Sequence, residues 1–175
     1  RSSSPGIQRR PKTAATLVDE RGHLDVVITA LERADVVGLD VETFHNRHRV
    51  LSTVQVAVEG AVFVVDALAI RDIDWLRPTL EDGSKVKVIH NVDFERSVLL
   101  RYGVTLRNVF CTLRAARATM DGPHTLEALV QRLLGRRIDK AEQRSDWSVR
   151  PLSERQVEYA AEDAAVLLPL HEALR

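Results

Sequence analysis

The chain has one cysteine, Cys111, one methionine, and aromatic residues at only 5% of its 175 positions. A lone thiol closes no internal disulfide and builds no cysteine-rich zinc site, and it fits a reducing intracellular compartment such as the cytoplasm. With so few rings, the core has to come from Val, Leu, Ile and Ala, which dominate the 45% hydrophobic content. Acidic and basic residues balance at 25 each, so no global basic field advertises a nucleic-acid partner. Bound cations would still supply positive charge locally. No apolar run is long enough to span a bilayer and no hydrophobic signal segment stands out, so no membrane partner is expected. Repeats and low-complexity tracts are also lacking. The opening Arg1-Ser2-Ser3-Ser4-Pro5-Gly6, without a methionine, reads as the start of a trimmed chain, with residues 1–12 a flexible lead-in. Residues 13–175 then read as one domain, long enough to bury a substantial core.

The hydrophobic pattern predicts how that domain is laid out. Thr16–Val18 reads as a short strand and Asp25–Ala34 as a helix, with Val26, Val27, Ala30 and Leu31 at helical spacing. Strands follow at Val36–Thr43, Val50–Val58 and Ala61–Val65; their short links force antiparallel pairing. Further on, Asp74–Leu80 reads as a short helix, Val86–His90 as a strand and Phe94–Tyr102 as a helix ended by Gly103. Leu106–Thr112 reads as a strand, and Leu113–Met120 and Thr125–Leu134 as helices, the second stopped by Gly135. A last helix opens at Ser153, with Gln156 completing a capping box, and runs toward Ala173 with a bend near Pro169. An antiparallel meander followed by strand–helix units makes a mixed α/β sheet of five to six strands flanked by helices.

Two patches of this pattern carry chemistry. Asp40 and Glu42 follow the apolar run Val36-Val37-Gly38-Leu39, so a strand period of two points both carboxylates to one side. Tyr159 and Asp163 stand four apart on the last helix, which places phenol and carboxylate on one face. Two like charges about 4 Å apart repel by about 4 kcal/mol at an effective dielectric near 20, so acids gathered on purpose imply a cation. Magnesium and manganese favour carboxylate oxygens. In-line phosphodiester hydrolysis needs an activated water and stabilised oxygens on both sides of phosphorus, which two such ions ~3.5–4 Å apart supply.

At these residues the chain resembles the DEDDy branch of 3′–5′ exonucleases, and within it the ribonuclease D catalytic domain. Asp40-Val41-Glu42-Thr43 is similar to the first motif. Val88-Ile89-His90-Asn91 with Phe94-Glu95-Arg96 and Val98-Leu99 is similar to the second. Asp139-Lys140, Gln143, Ser145-Asp146-Trp147, Arg150-Pro151-Leu152, Gln156 and Tyr159-Ala160-Ala161-Glu162-Asp163-Ala164 are similar to the third. The resemblance implies a ribonuclease H-like fold and release of nucleoside monophosphates from the 3′ end of single-stranded RNA or DNA, exoribonuclease activity being favoured. It also implies two divalent cations, Mg2+ or Mn2+, with Asp40, Glu42, Glu95 and Asp163 as ligands and Tyr159 placing the attacking water. Thr43, His90, Asn91 and Phe94 are expected beside the substrate. The other reading is a catalytically inactive exonuclease-fold domain that binds nucleic acid or acts as a scaffold.

Two positions depart from the family pattern: Glu95 stands where most relatives carry Asp, with Asp93 as a second candidate, and Cys111 stands where relatives commonly carry Asp. Cys111 also reads as a small buried hydrophobe. Trp147 is expected to pack under the last helix, and Asp146 and Arg150 to clamp the turn before Ser153. His45 and His48 fall in a polar loop expected near nucleic acid. Arg136, Arg137, Lys140 and Arg144 read either as a solvated surface or as phosphate contacts.

Overall fold

The computed structural model describes residues 14–44 and 49–175, so the loop holding His45 and His48 and the lead-in lie outside the described residues. Six strands form one sheet: β1 (Ala15–Val18), β2 (Val36–Phe44), β3 (Val50–Val58), β4 (Ala61–Asp66), β5 (Val86–Ile89) and β6 (Val109–Cys111). Their order is β1-β4-β3-β2-β5-β6. The short links do force β2, β3 and β4 into an antiparallel meander, whereas β1 joins β4, and β5 and β6 extend from β2, in parallel. The helices are α1 (Leu24–Arg33), α2 (Ala67–Ile70), α3 (Arg77–Leu80), α4 (Val92–Leu100), α5 (Thr112–Thr119), α6 (Leu126–Leu134), α7 (Glu154–Ala165) and α8 (Leu167–Leu174). No helix among the described residues is long and apolar enough to cross a membrane.

The pleat of β2 sorts the two layers. Val37, Leu39 and Val41 point into the larger core cluster with Val27, Leu31, Val54, Val56 and Leu99. Gly38, Asp40 and Glu42 point the other way, opposite Ala57, Gln55 and Thr53 of β3. On that side Ala57, Val62 and Val64 pack against Trp147, Tyr159, Ala160 and Ala164. The alternation in β3 predicts one polar face, yet its Ser52, Thr53 and Gln55 are fully buried. A strand paired on both edges and covered on both faces has no solvent side.

Local signals explain most element ends. Thr125 caps α6 by accepting from the Ala128 N–H, and Gly135 ends it in the left-handed conformation. Ser153 and Gln156 form the reciprocal capping box that opens α7. The single bent final helix is corrected to two helices, α7 and α8, joined at Val166. Pro169 carries no N–H to offer the carbonyl of Ala165, so the first run stops there. Helix α4 starts at Val92 rather than Phe94, and the expected long strand before α5 shrinks to Val109–Cys111. The short α2 escapes the sequence reading; Asp66 caps it by accepting from Leu68 and Ala69 N–H groups.

Candidate active site

The carboxyl ends of the neighbouring parallel strands β2, β5 and β6 open on one side, where α/β sheets form crevices. A cleft of about 860 Å³ lies there, lined by Asp40, Glu42, Thr43, His90, Asn91, Phe94, Glu95, Tyr159 and Asp163 among others. Asp40, Glu42, Glu95, Tyr159 and Asp163, with Thr43, His90, Asn91 and Phe94, therefore face one space, whereas Asp93, Arg136, Arg137 and Arg144 do not line it. The acids come from three elements, namely strand β2, helix α4 and helix α7.

Helix geometry decides which acid of α4 reaches that space. Val92, Glu95, Val98 and Leu99 form its buried stripe, whereas Asp93 lies about 200° around the axis from Glu95. Asp93 is exposed and accepts two bonds from Arg114, at 2.8 and 3.0 Å. Glu95 is only 3% exposed, and its Oε2 is buried without a hydrogen-bond partner among the described residues. Asn91 enters the helix in the left-handed region (φ 61°), a conformation that Asn tolerates better than most residues. His90 Nδ1 lies 2.9 Å from Thr112 Oγ1. Burial, then the charges of Lys140 and Arg117, push the His90 pKa down to about 4, so its ring is neutral at pH 7. Phe94 packs on the core and lines the cleft, with the Arg49 guanidinium 5.1 Å over its ring.

Helix α7 delivers the fourth acid. Gln156, Tyr159, Ala160 and Asp163 lie along its buried side, so the Tyr159 phenol and the Asp163 carboxylate are neighbours that shift each other's titration. The segment before it is pinned to the sheet. Arg150 Nε and Nη2 reach Asp66 at 2.5 and 2.9 Å, and Nη2 also bonds Ser52 Oγ at 2.9 Å. Ser52 Oγ donates to the Trp147 carbonyl at 2.6 Å, and Gln156 Nε2 donates to Ser145 Oγ at 3.1 Å. Trp147 packs beneath α7, its ring 6.0 Å from that of Tyr159. Asp146 accepts from the Ser148 N–H at 2.9 Å and so folds the turn that the sequence expects it to clamp. Cys111 is buried at the end of β6, as expected.

The electrostatics are those of acids crowded together. Burial first, then Asp163, pushes the Asp40 carboxyl up to about 7, against the opposing charge of Lys140. Burial, Asp40 and Asp163 push Glu42 up to about 9. Burial and Asp40 push Glu95 up to about 9. Burial raises Asp163 while Lys140 lowers it. Burial and the neighbouring Asp163 and Glu42 keep the Tyr159 phenol protonated far above its ordinary range. That phenol is a donor and an orienter, with no capacity to act as a base.

Lys140 corrects the basic-patch reading. Its Nζ bonds both oxygens of Asp163, at 2.6 and 2.9 Å, and lies 5.2 Å from the centre of the Tyr159 ring. Arg136 pairs with Glu162 at 3.6 Å, and Arg137 and Arg144 are exposed. One charge of the patch thus turns inward because the acids attract it more strongly than water does. The sequence reading also misses Arg117 and the 122–127 segment, which wall the cleft together with Gln143 of the third motif. The only signal for them is the break Asp121-Gly122-Pro123 followed by an N-cap threonine.

The donor set suits a hard divalent cation, because carboxylate oxygens dominate it, the acids repel one another, and Glu95 Oε2 is buried and unpartnered among the described residues. Among the described residues, no three His, Cys, Asp or Glu side chains are yet gathered around one point, and the Asp163 carboxylate is turned to Lys140.

Comparison with known proteins agrees with the geometry. Residues 16–175 match the family of 3′–5′ exonuclease domains. DNA polymerase I of Aquifex aeolicus is 36% identical over 152 residues, which cover 87% of this chain and 26% of the relative. Ribonuclease D of Granulibacter bethesdensis is 35% identical over 165 residues, covering 91% of this chain and 42% of the relative. The crystal structure of Escherichia coli RNase D superposes with a TM-score of 0.84 at 28% identity, over 92% of this chain and 44% of that one. The sheet and its flanking helices are thus the ribonuclease H-like fold of that enzyme. This chain spans from 26% to 42% of the length of these two curated relatives.

Proposed function

The chain belongs to the 3′–5′ exonuclease family, and from that premise we propose that it hydrolyses single-stranded nucleic acid from the 3′ end, RNA in preference to DNA. It would release one nucleoside monophosphate per turnover. The observation that carries this reading is the convergence of Asp40 and Glu42 from β2, Glu95 from α4, and the Tyr159–Asp163 pair from α7 in one cleft.

Asp40, Glu42, Glu95 and Asp163 would hold two divalent cations, Mg2+ or Mn2+. When bound, such ions lower the pKa of water and neutralise charge on the phosphoryl and leaving oxygens. The chain's own residues do the rest. Asp40 and Glu42, on one face of a rigid strand, fix the position of the charge. The Tyr159 hydroxyl, kept protonated beside Asp163, would hydrogen-bond the attacking water and aim it in line. Phe94 offers a ring to the terminal base, and Thr43 and Asn91 offer polar groups to the sugar and phosphate. His90, neutral and tied to Thr112, would donate or accept without adding charge. The acids raised by burial would have to ionise to hold such ions, so loading would release protons from the site.

The test is degradation of end-labelled single-stranded RNA and DNA of the same sequence, with Mg2+, Mn2+ or chelator. A ladder shortening from the 3′ end, dependent on metal and faster on RNA, is expected. Asp40→Asn should abolish it while leaving the fold intact. Binding without shortening, or full activity of Asp40→Asn, would overturn the reading.

A further inference from the structure

Resting on the cation-holding reading of these acids, we propose that the Lys140 ammonium is a resident cation: it occupies the Asp163 carboxylate first, must leave for a divalent ion to bind, and so sets the metal affinity of the site.

The geometry carries this in three steps. Lys140 Nζ engages both oxygens of Asp163, at 2.6 and 2.9 Å, on the carboxylate that the metal reading requires. A monovalent charge at that distance opposes the approach of a dication to the same oxygens. The two partners also differ in freedom. The Asp163 side chain is 7% exposed and fixed on a packed helix, whereas that of Lys140 is 24% exposed and borders the cleft. The ammonium is therefore the partner that moves, on a flexible four-carbon stem. Finally, the Tyr159 ring lies 5.2 Å from Nζ, so an aromatic face helps hold the cation against Asp163. The backbone need not follow: Asp139 accepts from the Ala141 N–H at 2.9 Å and keeps the turn beside Lys140 in place. The Lys140 charge also opposes the upward shifts of Asp40 and Glu42, as a stand-in for metal should.

A purely structural ion pair, tying the 136–147 segment to α7, makes the opposite prediction. Removing it would loosen Asp163 and weaken metal binding or leave it unchanged. Titration calorimetry with Mn2+ on the full chain separates the two. Lys140→Met is expected to bind Mn2+ roughly tenfold more tightly than the wild type, and Lys140→Arg, which keeps the charge, is expected to show no tightening. Equal or weaker binding by Lys140→Met would overturn the proposal.

The wild-type chain gives a second readout that does not depend on a variant folding. Amine acetylation is followed by peptide mass spectrometry in chelator and in Mn2+. Lys140 should label several-fold faster with Mn2+, while Lys85, bonded to the carbonyls of Leu31, Glu32 and Ala34, should not change. Unchanged or slower labelling of Lys140 in a chain that binds Mn2+ defeats this inference alone. A chain that binds no Mn2+ at all defeats it together with the cation reading.

Discussion

Gly38 is the point at which packing and chemistry meet, and Gly38→Ala tests both. It shares a face of β2 with Asp40, and α7 and α8 pass directly above it. A Cβ built there would lie 3.2 Å from the Ala164 carbonyl oxygen, 3.2 Å from Ala57 Cβ and 3.2 Å from Leu167 Cβ. Optimal carbon contacts lie near 3.5–4.0 Å, so Ala57 Cβ and Leu167 Cβ are a few tenths of an ångström too close, and the Ala164 carbonyl oxygen is tight as well. None is the loose end of a long side chain, so the helix junction has to lift as a body. Overpacking of this kind costs about 1–3 kcal/mol. Replacing a strand glycine returns about 0.5–1 kcal/mol through the unfolded chain. Central values of the two leave a net loss of about 1 kcal/mol, or about 2–4 °C in Tm for a domain of this size. Asp163 sits one residue before Ala164, so lifting α7 draws its carboxylate away from Asp40. A 1 Å error in reacting geometry costs on the order of a hundredfold, and a shift of a few tenths costs on the order of tenfold in turnover. Thermal denaturation and single-turnover degradation of a labelled oligonucleotide read the two effects. Gly83→Ala serves as control, since among the described residues nothing lies within 4 Å of its Cβ position. Wild-type Tm and turnover for Gly38→Ala would refute the argument that this close approach sets the position of α7.

Three further outcomes are expected. Arg150→Met should cost about 3 kcal/mol, the low end for breaking a buried ion pair, because Asp66 keeps its bonds to Leu68 and Ala69 N–H groups. Urea denaturation measures it, and Asp66→Asn added to Arg150→Met should cost less than the two changes summed. Glu95→Gln should lower turnover by on the order of a hundredfold, whereas Asp93→Asn, outside the cleft, should stay within about twofold; equal losses would remove Glu95 from the metal set. Without metal, the Tm should fall as pH rises from 6.5 to 9. The raised acids, about 7 for Asp40 and about 9 for Glu42 and Glu95, keep protons in the folded state that the unfolded chain has already released. Stability linked to them is fully present below pH ~4 and is lost as pH climbs through those folded values. The depressed His90 acts in the opposite direction only below pH ~6.5, outside this window. Mn2+ should flatten the slope, and so should Glu42→Gln; a rising Tm in chelator would contradict the crowding of the acids.

Legibility followed the range of the interactions. Period-two and period-3.6 patterns placed β2, β3, β4, α1 and α6 within a residue or two, because one buried face writes itself directly into such segments. Capping chemistry did the same for Ser153, Gln156 and Gly135. The candidate site residues were legible through the order of three short motifs, whereas the buried stripe Val92, Glu95, Val98 and Leu99 emerged only once α4 was seen to start at Val92. What failed depends on long-range contact. A polar Gln55 at the centre of a sheet is buried because strands flank it on both sides. Lys140 turns inward because Asp163, 23 residues later, has come to rest beside it. The anchor between Arg150 and Asp66 spans 84 residues and leaves no periodic trace.

The same distinction explains how a domain can keep a site that works against its own stability. Asp40, Glu42, Glu95 and Asp163 repel one another, and no local propensity favours bringing them together. The chain offsets that cost away from the acids. The Val- and Leu-rich layer on the far face of β2 holds the strand, the capping box fixes the start of α7, and Arg150 binds the incoming segment to Asp66 and Ser52. Lys140 then neutralises the one acid that α7 must carry into the cleft. Such an arrangement requires that the scaffold survive loss of any single acid. Glu42→Gln or Glu95→Gln should therefore melt at or above the wild type in chelator, even where turnover disappears. If instead either change lowered the Tm, these carboxylates would be structural partners and the repulsion argued here would be absent.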